Sequence, residues 1–190
     1  MDEIREMMKE DKEIWINLEN GYSVSSWGKL MSHKKQLRDE TTGRLSSWII
    51  DNDIKTILNP SLNNSKGVFY YTTRINQKGV KVHRLICEAF WGKSDLVVDH
   101  IDGNTLNNCS WNLRWCTRQQ NNLNSKLNSN NNSGVKGISY HNHSKKWVSG
   151  YVINGKNVCR YFKTKEEAIL DRQNRVKEHY DQEFYVENRK

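Results

Sequence analysis

The sequence predicts an α+β protein built from two small modules. Short segments of alternating or β-branched residues outnumber helical stripes, helical spacing recurs in only a few places, and residues 123–133 (LNSKLNSNNNS) carry no hydrophobic periodicity. Asn and Ser compete locally for backbone hydrogen bonds, so such a stretch reads as a linker. The expected organisation is a charged segment over residues 1–14, a first module over 15–122, the linker over 123–133 and a second module over 134–190. At 190 residues each module has a thin core.

In the first module, GYSVSSWGKLMS within residues 15–32 alternates around turn formers and predicts a small hairpin. Residues 34–66 are polar and are expected to be loops, with one strand at Trp48 to Ile50. VFYYTTRI and KVHRLI both read as strands, joined by a turn at Gln77, Lys78 and Gly79. Leu85, Ile86, Ala89 and Phe90 then fall at helical spacing, the apolar face of a short helix that stops at Gly92. An apolar strand, Leu96 to Val98, delivers Asp99 and His100 to its end. A polar loop of about a dozen residues leads to a second strand, Leu113 to Thr117, and a helix starts near Arg118.

In the second module three short strands are expected, in GVKGISYH, KWVSGYVI and NVCRYF. Polar connections join them at His143 to Lys145 and at Asn154 to Lys156, the latter with the Asn-Gly hairpin signal. A helix follows, opened by Thr164 with Glu167 three residues on as a capping box. Its stripe of Ile169, Gln173, Val176 and Tyr180 is expected to lie on the sheet.

The formal charge of +8, 35% hydrophobic residues and mean hydropathy of −0.90 describe a chain with much solvated basic surface. A polyanionic partner suits that balance, because neutralising phosphates releases condensed counterions. No apolar run approaches the ~20 residues that cross a bilayer, and MDEIREMMKEDKE has no signal-peptide core, so an intracellular, cytoplasmic protein is expected. Cys87, Cys109, Cys116 and Cys159 form no CxxC pair, which argues against a zinc knuckle or redox motif and for reduced thiols.

The chemistry concentrates in LVVDHIDGNTLNNCSWNLRWCTRQQNN, residues 96–122. Strand, loop, strand and helix would bring Asp99, His100 and Asn121 to one point, with Asn112 at the end of the loop. Phosphodiester hydrolysis needs a base for water and a cation for the developing charge. An imidazole with an unperturbed pKa near ~6.5 suits the first, and hard oxygen ligands suit a magnesium or manganese ion. Taken singly, each residue has a plainer reading: a surface turn for Asp99 and His100, a turn cap for Asn112, helix surface for Asn121. Their joint spacing favours the catalytic one.

This stretch resembles the HNH nucleases with a ββα-metal (His-Me finger) fold, in particular the phage homing endonucleases of group I introns. His100 is followed by Asn112 twelve positions on and Asn121 twenty-one positions on, with DGN after the histidine and NLRW after the middle asparagine. VHRLICEAF resembles the segment preceding the motif, and GYSVSSWGKLMS the nuclease-associated module, through Tyr22, Val24, Ser25, Gly28 and Ser32. Asn121 stands where the family name has its last histidine, a substitution also found among intron-encoded members. The resemblance implies a site-specific, metal-dependent DNA endonuclease with His100 as general base. Asn112 would orient the loop or the imidazole, and Asp99 and Asn121 would hold one divalent ion (Mg²⁺ or Mn²⁺) per active site. His83 either contacts the phosphate near the cut or is a satisfied core histidine. Arg84, Arg114 and Arg118 are the expected DNA contacts beside the motif.

The C-terminal segment resembles the Apetala-two type DNA-binding domain, through its GV.GI opening, the KW before the second strand, the GK hairpin and FKT with EEA. In that family a three-stranded sheet with one packed helix lies in the major groove. Carried over by position, the outward side chains would be Lys136, Ser139, His141, Lys146 and Lys156, with Ser149 and Tyr151 on the second strand. Arg160 replaces a small residue, and Lys126 in the linker would reach a phosphate. The partner implied is double-stranded DNA. A monomer with one active site would nick one strand, and a dimer would cut both. The rival reading is a sequence-specific DNA-binding regulator with an inactive HNH scaffold, which would bind DNA without cutting it.

Overall fold

The computed structural model describes residues 13–65, 67–127, 130–153 and 155–179. The chain divides into two compact units, one ending at Cys116 and the other beginning at Thr117.

The first unit is rich in short antiparallel strands. β1 (Trp15–Leu18), β2 (Tyr22–Ser25), β3 (Leu30–Ser32) and β6 (Thr56–Leu58) form a four-stranded sheet in the order β1-β2-β3-β6. β4 (Lys34–Arg38) pairs with β5 (Leu45–Ile50), and β7 (Ser61–Ser65), β8 (Val68–Ile75) and β9 (Lys78–Lys81) form a three-stranded sheet. Helix α1 (Val82–Trp91) follows, then the pair β10 (Val97–His100) and β11 (Leu113–Cys116).

Residues 34–66, expected to be loops with one short strand, thus hold β4, β5, β6 and β7. Nothing local announces them: all five residues of SLNNS are exposed, and that segment is a strand because β8 supplies its hydrogen bonds. KVHRLI is corrected as well. Only its first residue ends β9, and from Val82 the chain is helical, because Val82 and Ile86, one turn apart, both enter the core. The turn before it is also shorter than expected. Ile75 pairs with Lys78, which leaves Asn76 and Gln77 as a two-residue loop, both with positive φ.

The core of this unit joins Val24 and Leu30 to Val82, Ile86, Cys87 and Leu113, with Leu85, Ala89, Phe90 and Val98 packed around them. Strands β2, β3 and β11 and helix α1 therefore share one apolar centre. Helix α1 ends at Gly92, whose φ of 79° suits glycine.

The second unit begins with α2 (Arg118–Leu123), opened by a capping box. Thr117 accepts from the Gln120 amide, and the Gln120 side chain accepts from the Thr117 amide. β12 (Ile138–His141), β13 (Lys146–Ile153) and β14 (Lys156–Phe162) form an antiparallel sheet, followed by α3 (Lys165–His179). Thr164 and Glu167 cap α3 reciprocally. Asn154, in the expected second hairpin turn, and Tyr180, in the expected stripe of α3, lie outside the described residues.

The buried stripe of α3 is Ala168, Arg172 and Val176, and Gln173 is exposed. The face is shifted by one residue because Arg172 runs beneath the sheet and donates to the Gly150 carbonyl. Its guanidinium fills the space beside Gly137, where any Cβ would collide with it. Tyr151 and Val176 centre the small core, with Leu123, Ile153 and Val158 against them.

Candidate active site

The antiparallel register of β10 and β11 sets Asp99 opposite Arg114 and His100 opposite Leu113. Alternation sends Leu113 into the core and turns Asp99 and Arg114 to the other face. There Arg114 Nε donates to Asp99 Oδ2 at 2.8 Å, and both side chains are buried. Arg114 was expected to reach DNA. Its position on the inner side of this pair commits it to the carboxylate instead.

The loop from 101 to 112 is held by Asn112. Its side-chain oxygen accepts from the Asp102 amide at 3.0 Å, and its Nδ2 donates to Asp102 Oδ1 at 2.9 Å and to the Asn107 carbonyl at 2.8 Å. The other Asp102 oxygen accepts from Asn107 Nδ2 at 2.7 Å, so Asp102 is consumed in shaping the loop. Asn112 is buried and its bonds tie the two ends of the loop together.

His100 is buried, and its Nε2 lies 3.3 Å from Asn108 Oδ1. With that oxygen accepting, Nε2 carries the proton and Nδ1 has the lone pair. Burial pushes the imidazole below its usual pKa, while the Asn108 bond and the carboxylates of Asp102 and Asp99 pull it back up. The rings of His83 and His100 meet edge to face, with centroids 5.1 Å apart, and Tyr70 packs on His83 at 5.2 Å. Lys81 Nζ sits 4.6 Å from the centre of the Tyr70 ring.

His83 is not the satisfied core histidine of the plainer expectation. It is buried with no hydrogen-bond partner at Nδ1, and burial, aided by the charges of His100, Lys81 and Arg84, pushes its pKa down to about 3. Arg84 is engaged by Glu88 and by the Ser94 and Leu96 carbonyls, and its guanidinium lies over Trp115. It fixes the connection between α1 and β10.

Sequence reasoning missed Tyr70, Lys81 and Asn108. Tyr70 and Lys81 belong to a different sheet, so no spacing within the motif reveals them. Asn108 was available in LNNCSWN, but nothing distinguished it from its neighbour Asn107. Asn121, expected as a metal ligand, lies on α2 in the second unit, as does the exposed Arg118. Among the described residues no three His, Cys, Asp or Glu side chains gather into a metal cage, and all four cysteines are free thiols. The carboxylates beside His100 are Asp99, engaged by Arg114, and Asp102, engaged within the loop.

Residues 80–123 match the sequence model of the family described as HNH endonuclease. This segment is an HNH endonuclease domain. The chain has relatives in viruses. The chain is 54% identical over 50 residues to an uncharacterized HNH endonuclease of Acanthamoeba polyphaga mimivirus, covering 26% of this chain and 26% of that protein. It is 50% identical over 48 residues to DNA endonuclease I-HmuI of Bacillus phage SP01, covering 23% and 26%. It is 39% identical over 59 residues to Protein 3.8 of Escherichia phage T7, covering 31% and 49%. The chain thus spans about half or less of the curated relatives it matches. A solved structure of the HNH homing endonuclease I-HmuI overlaps 83% of this chain and 82% of its own at 23% identity and a TM-score of 0.41, a likeness too low to bear on the arrangement of the whole.

In the second unit, the pairing of Ser149 with Ile138 and Arg160 puts these three on the face of the sheet that carries α3. Ser149 is 0% exposed, and Tyr151 is buried against Val176. Both were expected to face outward, but the parity of β13 turns them inward. Arg160 pairs with Asp171 of α3 at 3.1 Å. Lys136 donates to the Leu123 and Ser125 carbonyls. The helix-free face carries Ser139, His141 and Lys146, all exposed, with the His141 ring 5.7 Å from that of Tyr161. Lys126 and Lys156 are exposed as well.

Proposed function

We propose that this protein is a site-specific DNA endonuclease that hydrolyses a phosphodiester bond of double-stranded DNA at the HNH centre. The observation that carries the reading is the buried end of β10, where Asp99 is held by Arg114 and His100 by Asn108 beside a loop stapled by Asn112.

In this mechanism His100 takes a proton from the attacking water at Nδ1. The water oxygen bonds to phosphorus, the bond to the 3′-oxygen breaks, and the departing oxygen is protonated from solvent, giving 5′-phosphate and 3′-hydroxyl ends. The lowered basicity of buried His100 keeps it unprotonated near neutral pH, which is the form a base needs. Asn108 holds the tautomer, and Asn112 keeps the loop bearing Asn108 in place. The Asp99 carboxylate would hold one divalent ion, Mg²⁺ or Mn²⁺, with the Asn121 oxygen as second ligand by resemblance alone. Such an ion, when bound, supplies positive charge for the developing phosphorane.

The Apetala-two resemblance supports a DNA-reading role for the second unit, on the helix-free face with Ser139, His141 and Lys146. Arg118, Lys126 and Lys156 would add phosphate contacts. By the resemblance of its motif to the phage homing endonucleases, the protein's role would be homing, in which a nick by the monomer starts copying of the gene into an empty target.

The test compares wild type with His100→Ala on supercoiled plasmid carrying a library of candidate sites, with Mg²⁺ or with EDTA. Nicking by wild type alone, and only with metal, is expected. If both proteins shift DNA in a gel and neither cuts it, the protein is a DNA-binding regulator on an inactive scaffold.

A further inference from the structure

A cleft of about 690 Å³ in the first unit lies outside the HNH centre, within the size range of small-ligand sites. Tyr22, Lys34, Trp48, Arg74, Asn76 and Gln77 line it. Trp48 is 61% exposed, and its indole N–H makes no hydrogen bond among the described residues. It shares one face of the β4–β5 hairpin with Lys34, since Gln36 pairs with Trp48 and Lys34 with Ile50. The Lys34 ammonium lies 4.5 Å from the centre of the Tyr22 ring and donates to Asn76 Oδ1 at 2.7 Å. Arg74 is exposed and makes no ion pair among the described residues, and it faces Gly79, beside which there is open space.

The tip of the β8–β9 hairpin adds an independent observation. Its two-residue loop holds Asn76 at φ 48° and Gln77 at φ 64°. Such loops favour glycine at the second position, because a side chain there is strained. Gln77 keeps one, and its exposed amide has no partner among the described residues. An exposed ring, two cations and the exposed Gln77 amide together match the π-face, phosphate and base edge of a nucleotide.

We propose that this cleft binds an unstacked nucleotide of single-stranded DNA, with the base on Trp48, the phosphate at Arg74 and Lys34, and the base edge at Gln77. Paired bases hide their faces in the stack, so the ring selects single-stranded or extruded nucleotides over intact duplex. The inference rests on DNA being the substrate, and it assigns the protein a grip on strand separation apart from the cut.

The full chain is titrated with a fluorescein-labelled oligothymidylate and, separately, with a blunt duplex, and thermal unfolding is recorded for every variant. Trp48→Ala and Arg74→Ala are expected to weaken the oligothymidylate about tenfold and to leave duplex affinity within about twofold. Gln77→Gly is expected to raise the unfolding temperature yet weaken the single strand, opposite signs that a purely structural turn residue does not give. The proposal is overturned if wild type fails to bind the oligothymidylate, if Trp48→Ala leaves that affinity within about twofold, or if duplex affinity falls equally. Gln77→Gly that stabilises without weakening the single strand likewise removes Gln77 from the site. Trp48-dependent binding by a wild type that cuts no plasmid would uphold the cleft while the endonuclease reading fails, and normal cutting by a Trp48→Ala variant with unchanged binding would do the reverse.

Discussion

Arg114 donates to Asp99 across the β10–β11 pair at 2.8 Å, and both side chains are shut away from water. Deleting one member of a buried ion pair leaves the other charged and uncompensated. Arg114→Ala should therefore lower stability by about 3–5 kcal/mol in urea unfolding. Asp99→Asn should cost less, because the amide oxygen still accepts from Nε, while abolishing metal-dependent nicking. Equal stability losses in the two variants would show that the retained hydrogen bond offsets nothing and that the charge of the pair carries the effect.

Asn112 makes its three bonds with both ends of its amide, and Asp102 Oδ1 and the Asn107 carbonyl both face its Nδ2. Asn112→Asp would turn an acceptor toward two acceptors, so it should be less stable than Asn112→Ala, itself down by about 1–3 kcal/mol. Thermal unfolding ranks the two. Amide exchange at Asp102 should speed up in Asn112→Ala, where its N–H loses its partner, and less in Asn112→Asp, whose remaining carboxylate oxygen still accepts.

The buried His83, with its pKa pushed to about 3, makes the protein sensitive to acid. The unfolded chain takes up the His83 proton near the usual imidazole value, while the folded chain takes it up only near 3. The stability owed to neutral His83 is complete above about pH 6.5 and declines as pH falls toward 3, by about 1.4 kcal/mol per pH unit in between. In His83→Gln the stability-versus-pH curve should be shallower by that slope over the window, measured by urea unfolding between about pH 7 and about pH 4. Parallel curves would mean that His83 is accessible to protons in the native state.

On the C-terminal sheet, Lys146 on the helix-free face and the wholly buried Ser149 give a contrast. Lys146→Ala should weaken duplex binding and reduce the slope of log K against log salt by about 0.9, the mark of one lost phosphate contact. Ser149→Ala should leave that slope unchanged. If Ser149→Ala changes the slope and Lys146→Ala does not, the face assignment is reversed.

Features that depend on neighbours along the chain were legible in advance. VFYYTTRI and KWVSGYVI are the strands β8 and β13, the helical stripe from Leu85 to Phe90 stops at Gly92, and Thr164 and Glu167 cap α3. Alternation, β-branching and capping chemistry act over a few residues, so the sequence displays them. SLNNS and KKQLR show no such pattern. They are strands because distant segments offer them hydrogen bonds, and that information is not local.

The same division runs through the candidate site. By itself the sequence determined which residues stand in the motif and at what intervals, from Asp99 and His100 to Asn112, because a strand, a tight loop and a returning strand need that spacing. Only the tertiary structure decided that Arg114 turns inward to Asp99, that Tyr70 and His83 close around His100, and that Ser149 and Tyr151 face α3 rather than outward. Each of those depends on strand register and on which face meets a helix. A shift of one residue reverses every side chain of a strand, so only the packed structure fixes them.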